Sequence, residues 1–197
     1  MSVAEDRELI LATRQGDYRA FEILVQRHQA SIFNVAYRMF GNRRDAEDAA
    51  QDAFFRAFRA LDKFDENRPL APWLKRIAAN VCLNKLEKDR IRPAVTATDV
   101  NRPGQETASM DDWHHARPSP EQEAVANESA AQVRAMILRL PPQFRVAIEL
   151  RHFQGLSYIE MAESLDRSVG NVKSDLFRAR KMLAQMLGEE ELREFSL

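Results

Sequence analysis

Between Pro93 and Pro118 the chain carries no apolar period of any kind. The stretch PAVTATDVNRPGQETASMDDWHHARP is built from Pro, Ser, Thr, Gly and acids. A segment with so few apolar groups buries too little to offset the entropy of ordering it, so it reads as a flexible acidic linker over 93–118. This break constrains the fold more than any other feature. It divides 197 residues into an N-terminal lobe over 1–92 and a C-terminal lobe over 119–190, each large enough for a modest core. No internal repeat joins the two.

Both flanks show helical spacing. Gly16 ends a short first helix, and Asp17 caps a longer one whose apolar stripe runs through Phe21, Leu24, Val25, Ile32, Val35, Ala36 and Met39. Gly41-Asn42 stops it. A third helix is predicted from about Asp45 to Leu61, with Ala50, Phe54, Ala57, Phe58 and Leu61 inward. Pro72 suits the first turn of a fourth, reaching about Arg90. Beyond the linker, Ser119-Pro120 and Gln122 form a start signal, Leu140-Pro141-Pro142 a break, and Ser157 with Glu160 a capping box. Ser168 caps a last helix to about Leu187. Neither lobe alternates as strands do, so the predicted fold class is all-α, with two small helical domains.

The segment SYIEMAESLDRSVGNVKSDLFRARKML has helix-turn-helix spacing. Ile159, Ala162 and Leu165 are expected inward on the first helix, and Val169, Val172, Leu176 and Ala179 on the second. The outward face then offers Asn171, Lys173, Ser174, Asp175, Phe177, Arg178 and Lys181. Lys and Arg hold phosphates, while Ser, Asn and Arg read base edges in a major groove. A solvated hairpin with an incidental basic face is the bland alternative.

The N-terminal lobe carries two surfaces of opposite sign. Asp45, Asp48 and Asp52 share one face of the third helix, with Gln51 beside them. They either favour the positive helix N-terminus or form an acidic docking surface, and spacing alone leaves both open. The fourth helix, WLKRIAANVCLNKLEKDRIR, sets Arg76, Asn80, Asn84, Lys85 and Lys88 opposite an apolar face. Trp73, Phe64 and Asn67 lie nearby. Aromatic rings beside a basic, amide-bearing face suit unpaired bases, although the same rings are as readily core.

The formal net charge of −1 therefore conceals basic lobes around an acidic middle. No run approaches the roughly 20 apolar residues of a membrane span, and MSVAEDRELI lacks a signal peptide's apolar core, so an intracellular chain is expected. Cys82 is the only cysteine, which excludes an internal disulfide and a cysteine-based zinc site. It reads as a small buried hydrophobe. His114 and His115 near Asp111 and Asp112 make a poor metal site in a linker. With no Gly-rich phosphate loop and no nucleophile with a partner base, neither a cofactor nor enzymatic catalysis is expected.

These blocks resemble the extracytoplasmic-function (ECF, group IV) sigma factors of bacterial RNA polymerase. GDYRAFEILVQRH, GNRRDAEDAAQDAFFRAF and FDENRPLAPWLKRIAANVCLNKLEK resemble sigma region 2. LPPQFRVAIELRHFQGLSYIEMAESLDRSVGNVKSDLFRARKML resembles region 4. Regions 1.1 and a folded region 3 have no visible counterpart. The resemblance implies that Asp48, Gln51 and Asp52 dock on core RNA polymerase. It assigns Phe64, Asn67, Arg68, Trp73, Arg76, Asn80, Asn84 and Lys88 to opening and reading the −10 element. Arg151, Asn171, Lys173, Ser174, Asp175, Phe177 and Arg178 fall where the family meets the −35 duplex. The linker would thread the polymerase toward its RNA exit path, and an anti-sigma factor is a possible further partner that would hold the protein at a membrane. Asp175 stands where the family usually carries Arg, Asn84 replaces a frequent Asp, and LAPW replaces a Phe-containing run. A helix-turn-helix repressor or activator with a sensor domain, and a helical adaptor, are the competing readings. The acidic helix followed by an aromatic-basic one argues against the first, and the basic recognition face against the second.

Overall fold

The computed structural model describes residues 3–91 and 131–194, and every regular element among them is helical. The linker, its histidines and the helix start at Ser119-Pro120 lie outside the described residues. In the first lobe α1 spans Val3–Arg14, α2 Tyr18–Phe40, α3 Arg43–Ala60 and α4 Leu70–Ile91, with one 3-10 turn at Leu61–Lys63. In the second, α5 covers 131–139, α6 Pro142–Ile148, α7 Tyr158–Leu165 and α8 Val169–Glu194.

Local signals place most of these boundaries. The Asp17 carboxylate accepts from the Arg19 and Ala20 amides at the start of α2, as an N-cap should. Gly41 ends that helix in the left-handed region (φ 75°), its N–H returning to the Tyr37 carbonyl, a conformation that costs glycine least. Asn42 then caps α3 by accepting from the Asp45 amide, and its side-chain amide donates to the Asp45 carboxylate. Packing follows from the small residues of α3. Ala46, Ala49, Ala53 and Ala57 are buried against α2 and α4, letting the backbones approach closely.

In the second lobe, α6 runs directly into a wide, π-type turn at Glu149–Phe153, closed by Gly155 at φ 71°. The Ser157–Glu160 capping box forms as expected, and Asp166 takes the left-handed conformation (φ 50°) that turns the chain into α8.

Two expected orientations are corrected. Ile159 is 64% exposed, because the buried stripe of α7 passes through Met161 and Ala162 and Ile159 lies off that line. Asp175 is only 8% exposed. It falls three residues after buried Val172, on the face shared with Leu176 and Ala179, and pairs with Arg167 rather than pointing outward. The lobes also pack on each other, with α6, α7 and the π-type turn set against α4 and one apolar cluster running through both.

Candidate nucleic-acid interface

The acidic face of α3 divides by function. Asp45 is half-buried and occupied in the cap with Asn42, so it stabilises the helix start. Asp48 and Gln51 are exposed and Asp52 is partly so; together with Phe55 they line a shallow surface depression. Asp52 reaches Arg56 at 3.0 Å and Asp48 reaches Lys85 at 3.9 Å, both weak solvated pairs. Phe55 was missed by sequence reasoning. Its ring is 60% exposed, and the signal was its position three and four residues beyond Asp52 and Gln51, on their side of the helix.

The segment before α4 is held by a residue the sequence did not single out. Arg14, at the end of α1, donates to the carbonyls of Leu61 (2.9 Å) and Phe64 and pairs with Glu66 at 2.9 Å. Glu66 is held below the ordinary carboxylate range by its own backbone amide first and by Arg14 next. Asn67 donates its backbone and side-chain N–H to Asp65, each at 3.1 Å, which lowers the Asp65 pKa, with a smaller contribution from Arg68.

Phe64 requires correction as a DNA-facing side chain. It is 6% exposed and forms the floor under Trp73, ring centroids 4.6 Å apart, because the 3-10 turn directs it inward. Trp73 itself is half-buried, with Asn67 and Arg68 exposed around it. Arg76, Asn80, Asn84 and Lys88 follow at four-residue spacing as one ridge of α4. Asn84 and Lys88 are exposed. Asn80 donates to the Ser164 carbonyl of α7 at 2.6 Å, and Arg76 faces Glu160.

On α8, Asn171, Lys173, Ser174, Phe177 and Arg178 are all exposed, opposite buried Val172, Leu176 and Ala179. The Phe177 ring is 70% exposed. Arg151 is half-buried: it donates to the Leu156 carbonyl at 2.7 Å and lies 5.0 Å from the Tyr158 ring, which Lys173 also approaches, at 5.5 Å. Arg151 thus also braces the loop into α7. His152 has its pKa lowered by partial burial first, then by Arg180 and Arg151, so this basic surface favours the neutral imidazole. Among the described residues no cluster of His, Cys, Asp and Glu could hold a metal ion, and no helix is long and apolar enough to cross a membrane.

Comparison with known proteins assigns these surfaces a lineage. Residues 24–91 match sigma-70 region 2, and residues 130–183 match sigma-70 region 4. The chain is 36% identical to the RNA polymerase sigma-H factor of Pseudomonas aeruginosa, covering 93% of this chain and 94% of that protein. It is 35% identical to the ECF RNA polymerase sigma factor SigW of Bacillus subtilis, over 92% and 96% of the two chains. The chain belongs to the ECF sigma factors. Its fold is similar to that of CnrH in complex with the cytosolic domain of CnrY, with a TM-score of 0.58 and 28% identity over 94% of this chain and 98% of that one. As an ECF sigma factor it is a promoter-specificity subunit of RNA polymerase. The repressor and adaptor readings fall away, since the first lobe is region 2 rather than a sensor domain.

Proposed function

We propose that this sigma factor works through three surfaces and performs no chemistry of its own. Asp48, Gln51 and Asp52, with Phe55 beside them, dock on a basic surface of core polymerase. Asn67, Arg68, Trp73, Arg76, Asn80, Asn84 and Lys88 capture the unpaired −10 strand. Arg151, Asn171, Lys173, Ser174, Phe177 and Arg178 hold the −35 duplex. In this reading residues 1–92 and 119–190 are the two working domains and 93–118 the tether, and the site of action is the cytoplasm.

One observation carries the reading: the exposed face of α8 holds amide, hydroxyl, cationic and aromatic side chains directly opposite its buried stripe. Such a face presents base-reading groups between phosphate-holding ones. Melting then draws its free energy from bases and backbone captured by the α4 ridge, without hydrolysis. CnrH is bound by the cytosolic domain of CnrY, and an anti-sigma partner of that kind is proposed here too. Transcription by core polymerase reconstituted with this protein on a randomised promoter library tests the reading. Selection of paired −35 and −10 elements, with permanganate-reactive thymines at −10, is expected. Transcripts without element selection would overturn it.

A further inference from the structure

The cations of the second lobe are not scattered. Lys173 lies 5.5 Å from the Tyr158 ring, and Arg151 lies 5.0 Å from the same ring. His152 follows Arg151 in the π-type turn, and its Nε2 stands 3.4 Å from Nη2 of Arg180 on α8. Arg180 comes seven residues after Lys173, about two turns further along one side of the helix. These contacts join Lys173, Tyr158, Arg151, His152 and Arg180 into one row across the π-type turn, α7 and α8. Lys173, His152 and Arg180 are exposed.

Gathered like charges repel, and other cations of this chain avoid that cost: Arg14, Arg38 and Arg167 each hold a carboxylate. Among the described residues no ion pair engages Lys173, Arg151 or Arg180. Nearby carboxylates are turned elsewhere. Glu149, in the same turn as His152, is 2% exposed and held by Arg38, and Glu160 of α7 accepts from the Ser157 amide. From the helices packed on the turn, Arg145 of α6 is spent on the Met39, Leu138 and Leu140 carbonyls, and Lys85 of α4 lies near Asp48 and the Phe40 ring. The charges that act on the His152 ring are therefore Arg180 from α8 and Arg151 from its own turn, both positive. They add to partial burial in keeping the imidazole neutral, with Nε2 free to accept from Arg180. A row of cations with no carboxylate among them fits a run of phosphates.

We propose that Arg151, His152 and Arg180 cradle the backbone of the −35 duplex, with His152 changing from an acceptor for Arg180 into a protonated donor to a phosphate as DNA binds. The proposal rests on the assignment of the exposed α8 face to that duplex. A phosphate oxygen entering between the two side chains favours the imidazolium, whose Nε2–H donates to it, while Arg180 turns to a second oxygen. The proton is drawn from solvent. His152 then holds its proton more tightly in the complex than in the free protein, so binding takes up protons and strengthens as pH falls.

Core polymerase reconstituted with the full chain, titrated against a duplex carrying the −35 element selected from the randomised library and no −10 element, tests this without melting. Wild type should bind about fivefold more tightly at about pH 6 than at about pH 8. His152→Gln keeps an acceptor but takes no proton, so it should match wild type at the higher pH and lose the gain at the lower. His152→Lys, a fixed cation, should bind tightly at both and steepen the salt dependence at about pH 8 by about one phosphate. Groups elsewhere on the protein and the polymerase titrate alike in every variant, so the differences report position 152. Matching pH profiles for wild type and His152→Gln, or a His152→Lys variant no tighter than wild type at about pH 8, overturn the cradle. If Lys173→Ala weakens binding in that case, the assignment of α8 to the −35 duplex stands. Lys173→Ala without effect overturns that assignment, and the cradle with it.

Discussion

Asp175 of the recognition helix accepts a hydrogen bond from Arg167, eight residues earlier in the turn that precedes it. The pair ties the turn to the second turn of α8 and keeps the carboxylate off the exposed face of that helix. A negative charge on the basic α8 is thus spent on a partner inside the motif, which ties the turn to the helix. An outward role, repelling phosphates or reading a cytosine amino group, is incompatible with that burial.

Asp175→Asn should lower stability by about 1–3 kcal/mol, since Arg167 loses a charged partner in a half-buried setting. Base preference at −35 should be unchanged at matched temperature. Denaturant titration with a selection on randomised −35 sequences checks both, and a new base preference would contradict the buried pair.

Replacing both Asp48 and Asp52 with Arg should weaken binding to core polymerase about tenfold or more while leaving the circular dichroism melt within about 2 °C of wild type, because neither side chain is buried. Phe55→Ala should act in the same direction. Unaltered affinity in a fluorescence titration with core polymerase would remove this face from docking.

Arg14→Ala breaks the contacts that hold the 61–66 segment. A loss of about 1–3 kcal/mol is expected, with faster amide exchange localised to residues 61–68 and fewer permanganate-reactive thymines at −10. Exchange that rises evenly over the whole lobe would make Arg14 a general stabiliser instead of a brace for this segment.

Cys82 provides a pH signature. Burial first, and the nearby Glu149 charge second, push its thiol from 9.0 to about 12. The folded state therefore keeps a proton that the unfolded chain releases. Its contribution is complete below about pH 9 and declines as pH rises from there toward 12. Cys82→Ala should flatten the loss of stability in that window, and the wild-type thiol should react with a disulfide reagent at pH 8 only after unfolding. Rapid labelling of the native protein would show that the site opens locally.

What the sequence made legible was local. Asp17, Gly41 and the Ser157–Glu160 box act within four residues of themselves, and each appears where spacing placed it. Asp175 and Ile159 were misplaced because one residue on a helix is about 100° of rotation, enough to move a side chain from outside to inside. Arg14 and Glu66 are 52 residues apart, and Arg38 and Glu149 are 111 apart. No pattern of spacing links charges across such distances; only the packed chain brings them together. Spacing leaves Phe64 and Trp73 as either core or DNA-facing; the structure buries Phe64 and leaves Trp73 half-buried against it.

The π-type turn at Glu149–Phe153 joins two tasks within five residues. Glu149 and Phe153 grip Arg38 of the first lobe, while Arg151 between them steadies Leu156 and Tyr158 at the entrance to the hairpin. The turn is wider by one residue than an ordinary helical turn, so removing that residue would swing whatever follows by about 100°. A deletion here would disengage the lobes and re-aim the α7–α8 hairpin in a single step. Length at this point is as binding a constraint on the chain as the identity of any side chain in it.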